Sequence, residues 1–160
     1  MTKPRYQEIP NSQIPKATSA DGLVTVRVIA GEAMGEKAVI ETRTPIIYLH
    51  YRLAPGGVAT QSVPSGFNAF AYVVDGAGLF GADRERAGDG QMVLFAQDGD
   101  EVRIENPGEA PLDVLLIGGL PLREPVARYG PFVMTTKAEI YQAIEDYQAG
   151  RMGAIVADEK

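Results

Sequence analysis

The chain has 160 residues, one histidine (His50), and neither cysteine nor tryptophan. Without cysteine there is no disulfide scaffold, cysteine zinc site, iron–sulfur cluster or thiol nucleophile, and one histidine excludes a site that needs two or three imidazoles from one chain. Fifteen Lys and Arg against 21 Asp and Glu give a net charge of −6, which disfavours nonspecific nucleic-acid binding. No stretch reaches the ~18 apolar residues of a membrane span. The first residues do not resemble a signal peptide, so we expect a cytoplasmic protein.

The middle of the chain has the pattern of an all-β domain. Short runs rich in β-branched and aromatic residues recur about every 8–12 residues, with Asp-Gly and other turn signals between them. The predicted strands are 23–30, 46–53, 69–74, 92–96, 101–105 and 112–117. This spacing predicts a sandwich or barrel, preceded by an irregular N-terminal arm.

One helix is predicted near the C-terminus. The segment from Thr136 to Glu139 has the pattern of a capping box, in which each end residue satisfies a backbone N–H of the other. An apolar stripe at helical spacing follows, formed by Ile140, Ala143, Ile144 and Tyr147. Gly150 is the predicted C-terminal stop.

Three features invite a functional interpretation that their context does not favour. GAGLFG at 76–81 fits a dinucleotide-binding loop, but no amphipathic helix follows, so a hairpin is favoured. Paired acids can bind calcium or do acid–base work, yet a solvated turn is favoured for Asp98, Asp100, Glu101 and Glu105. His50 lies in a predicted strand, and no Gly-x-Ser-x-Gly elbow supplies a nucleophile for it, so a structural or surface role is favoured.

Several longer motifs resemble one family. GGLPLREPVARYGPFVM at 118–134 and IYQAIEDYQAGRMG at 140–153 closely resemble the C-terminal region of pirins. PRYQEI at 4–9, VIAG at 28–31, TPI at 44–46 and NAFAY at 68–72 are similar to sequences in the second half of a pirin. Pirins are two-domain cupins. The resemblance therefore implies a single jelly-roll cupin barrel over 21–120, with an arm at 1–20 and a connector and helix at 121–160.

The resemblance also predicts where a metal would be held, and by what. In pirins the N-terminal cupin binds iron through three histidines and a glutamate, and the active members cleave quercetin with dioxygen. When the cupin motifs are laid on this chain, the ligand positions hold Val63, Ser65, Ala69 and Val102. Valine and alanine have no donor atom, and serine is a poor metal ligand. We therefore expect no metal, no cofactor and no catalytic residue in this chain, with iron only in the N-terminal cupin of a full-length relative.

The function expected from these observations is that of a non-catalytic, metal-free binding or structural module. Its expected partner is the missing N-terminal cupin, a second copy of itself or a regulatory protein, and a chain that exists alone is predicted to form a homodimer. The alternative is part of an iron-dependent, quercetin 2,3-dioxygenase-like pirin, so enzyme activity stays open. Met1 falls where pirins often have an internal methionine, which fits either a truncated pirin or a genuine half-length protein. A small-molecule pocket inside the barrel is a further possibility, lined by Tyr48, His50, Phe70 and Tyr72.

Overall fold

The computed structural model describes residues 6–153. They form two compact units: one is Ile9–Pro121, and the other contains residues 6–8 and 122–153. In chain order the elements are a 3-10 helix at Asn11–Gln13, strands β1 (Lys16–Thr18), β2 (Val24–Ala30), β3 (Glu32–Ala33), β4 (Glu36–Lys37), β5 (Ile46–Leu53), β6 (Val58–Ser62), β7 (Asn68–Asp75), β8 (Ala77–Phe80), β9 (Glu85–Gly88), β10 (Met92–Phe95), β11 (Glu101–Glu105), β12 (Leu112–Gly119), β13 (Ala127–Tyr129) and β14 (Phe132–Met134), and helix α1 (Lys137–Gln148).

The larger sheet of the first unit has six antiparallel strands in the order β1-β2-β5-β12-β7-β10. Its strands alternate between buried and more exposed residues, because successive side chains of a strand point to opposite faces. In β12, Leu116 is fully buried, whereas its neighbours Leu115 and Ile117 are half-buried. The sheet therefore has an inner face that is buried and an outer face that is partly open.

A smaller antiparallel sheet has the strand order β6-β11-β8-β9. Side chains from both sheets form one hydrophobic core, which includes Leu49 and Leu116 from the larger sheet and Phe80 and Ile104 from the smaller one. The two sheets are not hydrogen-bonded into a closed barrel. The all-β prediction is confirmed, and the fold is a jelly-roll sandwich of the cupin type.

The segment predicted to be an irregular N-terminal arm contains regular structure. After the 3-10 helix, β1 pairs with β2, with Ala17 opposite Val26. Ser19 and Asp21 then close the turn into β2, because the Asp21 carboxylate accepts hydrogen bonds from the Ser19 hydroxyl and from the backbone N–H of Leu23. These bonds, that of Ser19 first, hold the pKa of Asp21 below its usual value.

The GAGLFG motif connects β7, in the larger sheet, to the β8–β9 hairpin of the smaller sheet. Gly76 has φ +87° and Gly81 has φ +72°, a backbone region that L-residues with a Cβ seldom adopt. At Gly78 a Cβ would lie 2.5 Å from the Leu112 side chain and 2.9 Å from the carbonyl oxygen of Glu105. The three glycines thus serve a tight turn and a close strand approach, and the hairpin prediction is confirmed.

The second unit contains the β13–β14 hairpin and α1. The predicted capping box is present, because the Thr136 hydroxyl accepts from the N–H of Glu139 while the Glu139 carboxylate accepts from the N–H of Thr136. Hydrogen bonds from Thr135 and Thr136 hold the pKa of Glu139 below its usual value. Two residues of the predicted apolar stripe, Ile140 and Ala143, are buried as expected. Tyr147 is 68% exposed, and the centre of its ring lies 6.2 Å from that of Phe132. No helix within residues 6–153 is long and apolar enough to cross a membrane.

Candidate functional site: a cavity at the predicted ligand positions and the outer face of a sheet

The four residues that the motif overlay places at cupin metal-ligand positions lie around one cavity. Val63, Ser65, Ala69 and Val102 all line a pocket of about 430 Å³ in the first unit. Three of them are almost fully buried, while Ser65 is exposed. The overlay of cupin motifs therefore selects residues from three separate parts of the chain that do meet in space.

Hydrogen bonds between loops hold the walls of this cavity. The Gln97 side-chain amide donates to the carbonyl oxygen of Phe67 at 3.2 Å and to Oδ1 of Asn68 at 2.7 Å. The backbone N–H of Val63 donates to the carbonyl oxygen of Asp100 at 2.8 Å. These bonds link the loop before β11 to the segment before β7. Contacts within the chain thus hold the walls of the cavity.

The residues at the predicted cupin ligand positions do not fit iron. Val63, Ala69 and Val102 offer only hydrocarbon side chains. A cupin iron site of the kind that the resemblance implies needs imidazole and carboxylate ligands. Carboxylates do line the cavity, but across residues 6–153 no three His, Cys, Asp or Glu side chains are grouped so that they could hold a metal ion. His50 lies on β5 and does not line the cavity. No reaction step through a metal is therefore assigned to these residues.

The acidic cluster at 98–105 divides into two environments. Asp98, Asp100 and Glu101 are exposed, as expected for a solvated turn. Glu105 differs, because it is only 8% exposed and its carboxylate pairs with Arg103 Nε at 2.7 Å and Arg84 Nη2 at 3.0 Å. The hydrogen bond from Arg103, with the charge of Arg84, holds the pKa of Glu105 below its usual value. The solvated-turn prediction is thus wrong for Glu105.

The predicted pocket residues lie on the outer face of the six-stranded sheet. Tyr48, His50, Phe70 and Tyr72 alternate with the buried residues of β5 and β7, so they point away from the core and do not line the interior. This corrects their expected orientation. The strand register still groups them, because Ile117 is opposite both Tyr48 and Phe70, and Leu115 is opposite both His50 and Tyr72. Ligand binding by the four stays a prediction.

The outer face has an apolar part and a polar corner. The apolar part consists of Tyr48, Phe70, Tyr72, Val74, Met92, Leu94, Leu115 and Ile117. In the polar corner, Asp113 Oδ1 lies 3.2 Å from His50 Nε2 and its Oδ2 lies 3.8 Å from Arg52 Nη1. Arg27 is opposite His50 on β2 and donates to Asn11. An apolar surface bordered by polar side chains is typical of protein interfaces.

Two buried polar groups of the core were not predicted as such. The Tyr51 hydroxyl donates to Gln61 Oε1 at 2.6 Å, and burial raises the pKa of Tyr51. The Asn106 amide donates to the carbonyl oxygens of Leu53 and Ala110, both at 2.9 Å, and its Oδ1 accepts from the N–H of Gly108. Buried polar groups in native proteins are normally satisfied in this way. Both residues are structural, and their neighbours in the sequence, which include His50, Arg52 and Glu105, gave no signal that they would be buried.

Comparison with known proteins identifies the family. Residues 48–153 match the Pirin C-terminal cupin domain. The chain belongs to the pirin family. It is 46% identical over 153 residues to the Pirin-like protein of Solanum lycopersicum and 42% identical over 154 residues to the Pirin of Homo sapiens. Each alignment covers 96% of this chain and 52% of the relative, so the chain spans about half the length of the curated pirins it matches.

A solved structure supports the same assignment. Quercetin 2,3-dioxygenase from Acinetobacter baumannii matches with a TM-score of 0.81 and 33% sequence identity. The match covers 94% of this chain and 51% of that protein. The pirin resemblance carried by the C-terminal motifs is therefore confirmed for the fold and the family.

Proposed function

We propose that this pirin domain is a metal-free, non-catalytic module that binds another cupin domain through the outer face of its six-stranded sheet. The observation that carries the proposal is the cavity at the ligand positions, where Val63, Ala69 and Val102 offer no donor atom. A cupin domain without a ligand set at these positions still presents the surfaces of the fold, and the proposal assigns its function to one of those surfaces.

The outer face supports the docking part of the proposal. Leu94, Met92 and Tyr72 are 72%, 54% and 39% exposed, and they continue the apolar surface of β12 towards the edge strand β10. Exposed apolar side chains that adjoin one another favour association, since covering them removes that surface from water. The polar corner at His50 and Asp113 supplies directional contacts that select the partner.

The proposed partner is the other cupin half of a longer pirin. The chain covers about half of its relatives, so a second domain of comparable size is what a whole pirin would place beside it. When that half is lacking, a second copy of this chain is the proposed occupant. The third proposed partner of the outer face is a regulatory protein. Cytoplasmic location stays a prediction from the composition.

The oligomeric state of the purified chain tests the docking surface. Light scattering after size-exclusion chromatography is expected to show a dimer for the wild type and a monomer for Tyr72→Glu/Met92→Glu, a cross-strand pair on the outer face. The matched control is Val58→Glu, which changes a 42% exposed residue on the smaller sheet and is expected to stay dimeric. A wild-type monomer at every concentration contradicts self-association and leaves the face to another kind of partner.

Metal analysis tests the non-catalytic part. After dialysis, elemental analysis is expected to find no stoichiometric iron, and oxygen uptake with quercetin and added ferrous iron is expected to match the protein-free rate. One tightly bound iron per chain would overturn the metal-free assignment.

The second candidate function is part of a quercetin 2,3-dioxygenase-like, iron-dependent pirin. The similarity to the Acinetobacter baumannii enzyme favours it, and its metal site would lie in an N-terminal cupin outside these residues. Quercetin turnover by the chain joined to such a cupin, but not by either part alone, would support this alternative.

A further inference from the structure

We propose that the cavity at the vacant ligand positions binds a small organic cation with an apolar body. This inference concerns the interior of the first unit, and it does not depend on docking through the outer face. A failure of one leaves the other standing, because Leu94 is the only residue of the outer face that also borders the cavity, and the variants that test the two proposals change different residues.

The floor of the cavity is apolar and aromatic. Phe80 and Val102 are 1% and 4% exposed, and Phe67 and Phe95 are half-buried against the same core. A volume of about 430 Å³ suits a ligand of one or two rings. Phenylalanine faces attract cations as well as hydrocarbon, so the floor can hold both parts of such a ligand.

The charge of the cavity has one sign. Five acidic residues line it, namely Asp83, Glu85, Asp98, Asp100 and Glu101, and among its described lining residues there is no lysine, arginine or histidine. All five are exposed, so they lie towards the open end while the buried apolar residues form the floor. A cleft with walls of one charge sign concentrates ions of the opposite sign.

The two parts of the cavity have different roles in binding. Exposed charges are screened by salt and each contributes little to affinity, whereas covering an apolar ligand removes its surface from water. The apolar floor therefore sets how tightly a ligand binds, and the acidic rim decides which charge is accepted. A metal ion in a cupin would attract phenolate and carboxylate ligands. The acidic rim of this cavity is expected to repel them.

The cavity is preorganised for a ligand. Gln97 joins the loop before β11 to residues 66–68 through three hydrogen bonds, and Val63 bonds to the carbonyl oxygen of Asp100. Loops that are ordered before binding cost less entropy when a ligand enters. Binding is thus expected with little change in the backbone.

A matched series of fluorescent probes tests the sign selectivity. We expect 1-naphthylmethylammonium to bind about tenfold more tightly than the neutral 1-naphthylmethanol, which in turn binds more tightly than 1-naphthylacetate. Raising the salt concentration should reduce the difference between the charged probes and leave the neutral probe nearly unchanged. Equal affinity for the three probes, or tighter binding of the carboxylate, would overturn the proposal.

Two sets of variants locate the site. Asp83→Asn/Asp98→Asn/Asp100→Asn is expected to weaken the ammonium probe about tenfold and leave the neutral probe unchanged. The control Glu36→Gln/Asp89→Asn/Glu109→Gln removes three negative charges away from the cavity, so it separates the local rim from net charge.

A bulky side chain at the cavity wall provides the second set. Ser65→Trp is expected to abolish binding of all three probes, because the ring occupies the pocket. Ala96→Trp, at another exposed lining position, is used if the first variant does not fold. Undiminished binding in a folded tryptophan variant would place the probes elsewhere and contradict the proposal.

Discussion

The inner and outer faces of the six-stranded sheet are made by the same strands but differ in what covers them. On the inner face, Leu49, Val73 and Leu116 are fully buried against the smaller sheet. On the outer face, Tyr72, Met92 and Leu94 keep large apolar side chains in contact with water. The inner face packs against the smaller sheet of the same unit, and no other sheet among residues 9–121 covers the outer face. We therefore expect substitutions on the inner face to change mainly the free energy of unfolding, and substitutions on the outer face to change mainly association.

The largest expected difference in the free energy of unfolding is between substitutions of two adjacent leucines of β12. Leu116→Ala removes a fully buried side chain and should lower the free energy of unfolding by about 3 kcal/mol. Leu115→Ala, on the outer face, should lower it by about 1 kcal/mol or less. Urea denaturation in the Tyr72→Glu/Met92→Glu background measures folding apart from association. Equal losses for the two leucines would show that the faces do not differ.

A smaller effect is expected from two tyrosines of β5. Tyr51→Phe leaves Gln61 Oε1 buried without its donor, which should cost about 1–3 kcal/mol. Tyr48→Phe removes a hydroxyl from the outer face and should change stability by less than about 0.5 kcal/mol. Thermal and urea unfolding of both variants make the comparison. A Tyr48 effect as large as that of Tyr51 would contradict it.

The smallest effect should be visible in the pH dependence of stability. The pKa of Glu105 is lowered in the folded state, so its ion pairs stabilise the protein at pH values above the ordinary glutamate pKa. That contribution is lost as the pH falls from this value through the lowered pKa. Glu105→Gln should therefore make stability less sensitive to acid. The control is Glu101→Gln, at an exposed position of the same strand, and an identical pH profile for both variants would contradict the prediction.

Local signals predicted much of the fold. Asp-Gly turns, β-branched runs and the capping box act within a few residues, and strands β2, β5, β7, β11 and β12 and helix α1 lie where these signals place them. The cupin motif spacing was informative as well, since its four positions border one cavity. Both kinds of signal depend only on the number of residues between positions, and that number can be read from the sequence.

The orientation of β5 was predicted wrongly, although the alternation along the strand contains it. In IIYLHYRL one alternating set is Ile47, Leu49, Tyr51 and Leu53, whereas the set that contains Tyr48 also contains His50 and Arg52. The more apolar set faces the core, as the period of two residues favours. Glu105 was missed for a different reason, because Arg84 reaches it from a turn distant in sequence. A long-range partner decides that position, and no local signal contains it.

The single histidine has a practical consequence. His50 is the only imidazole in the chain and it lies beside Asp113 on the outer face. Its ring C–H protons therefore give one uncrowded set of signals in a one-dimensional proton spectrum. A change in those signals on mixing would report contact at this surface from unlabelled, unmodified protein, while a ligand in the cavity, which His50 does not line, would leave them in place.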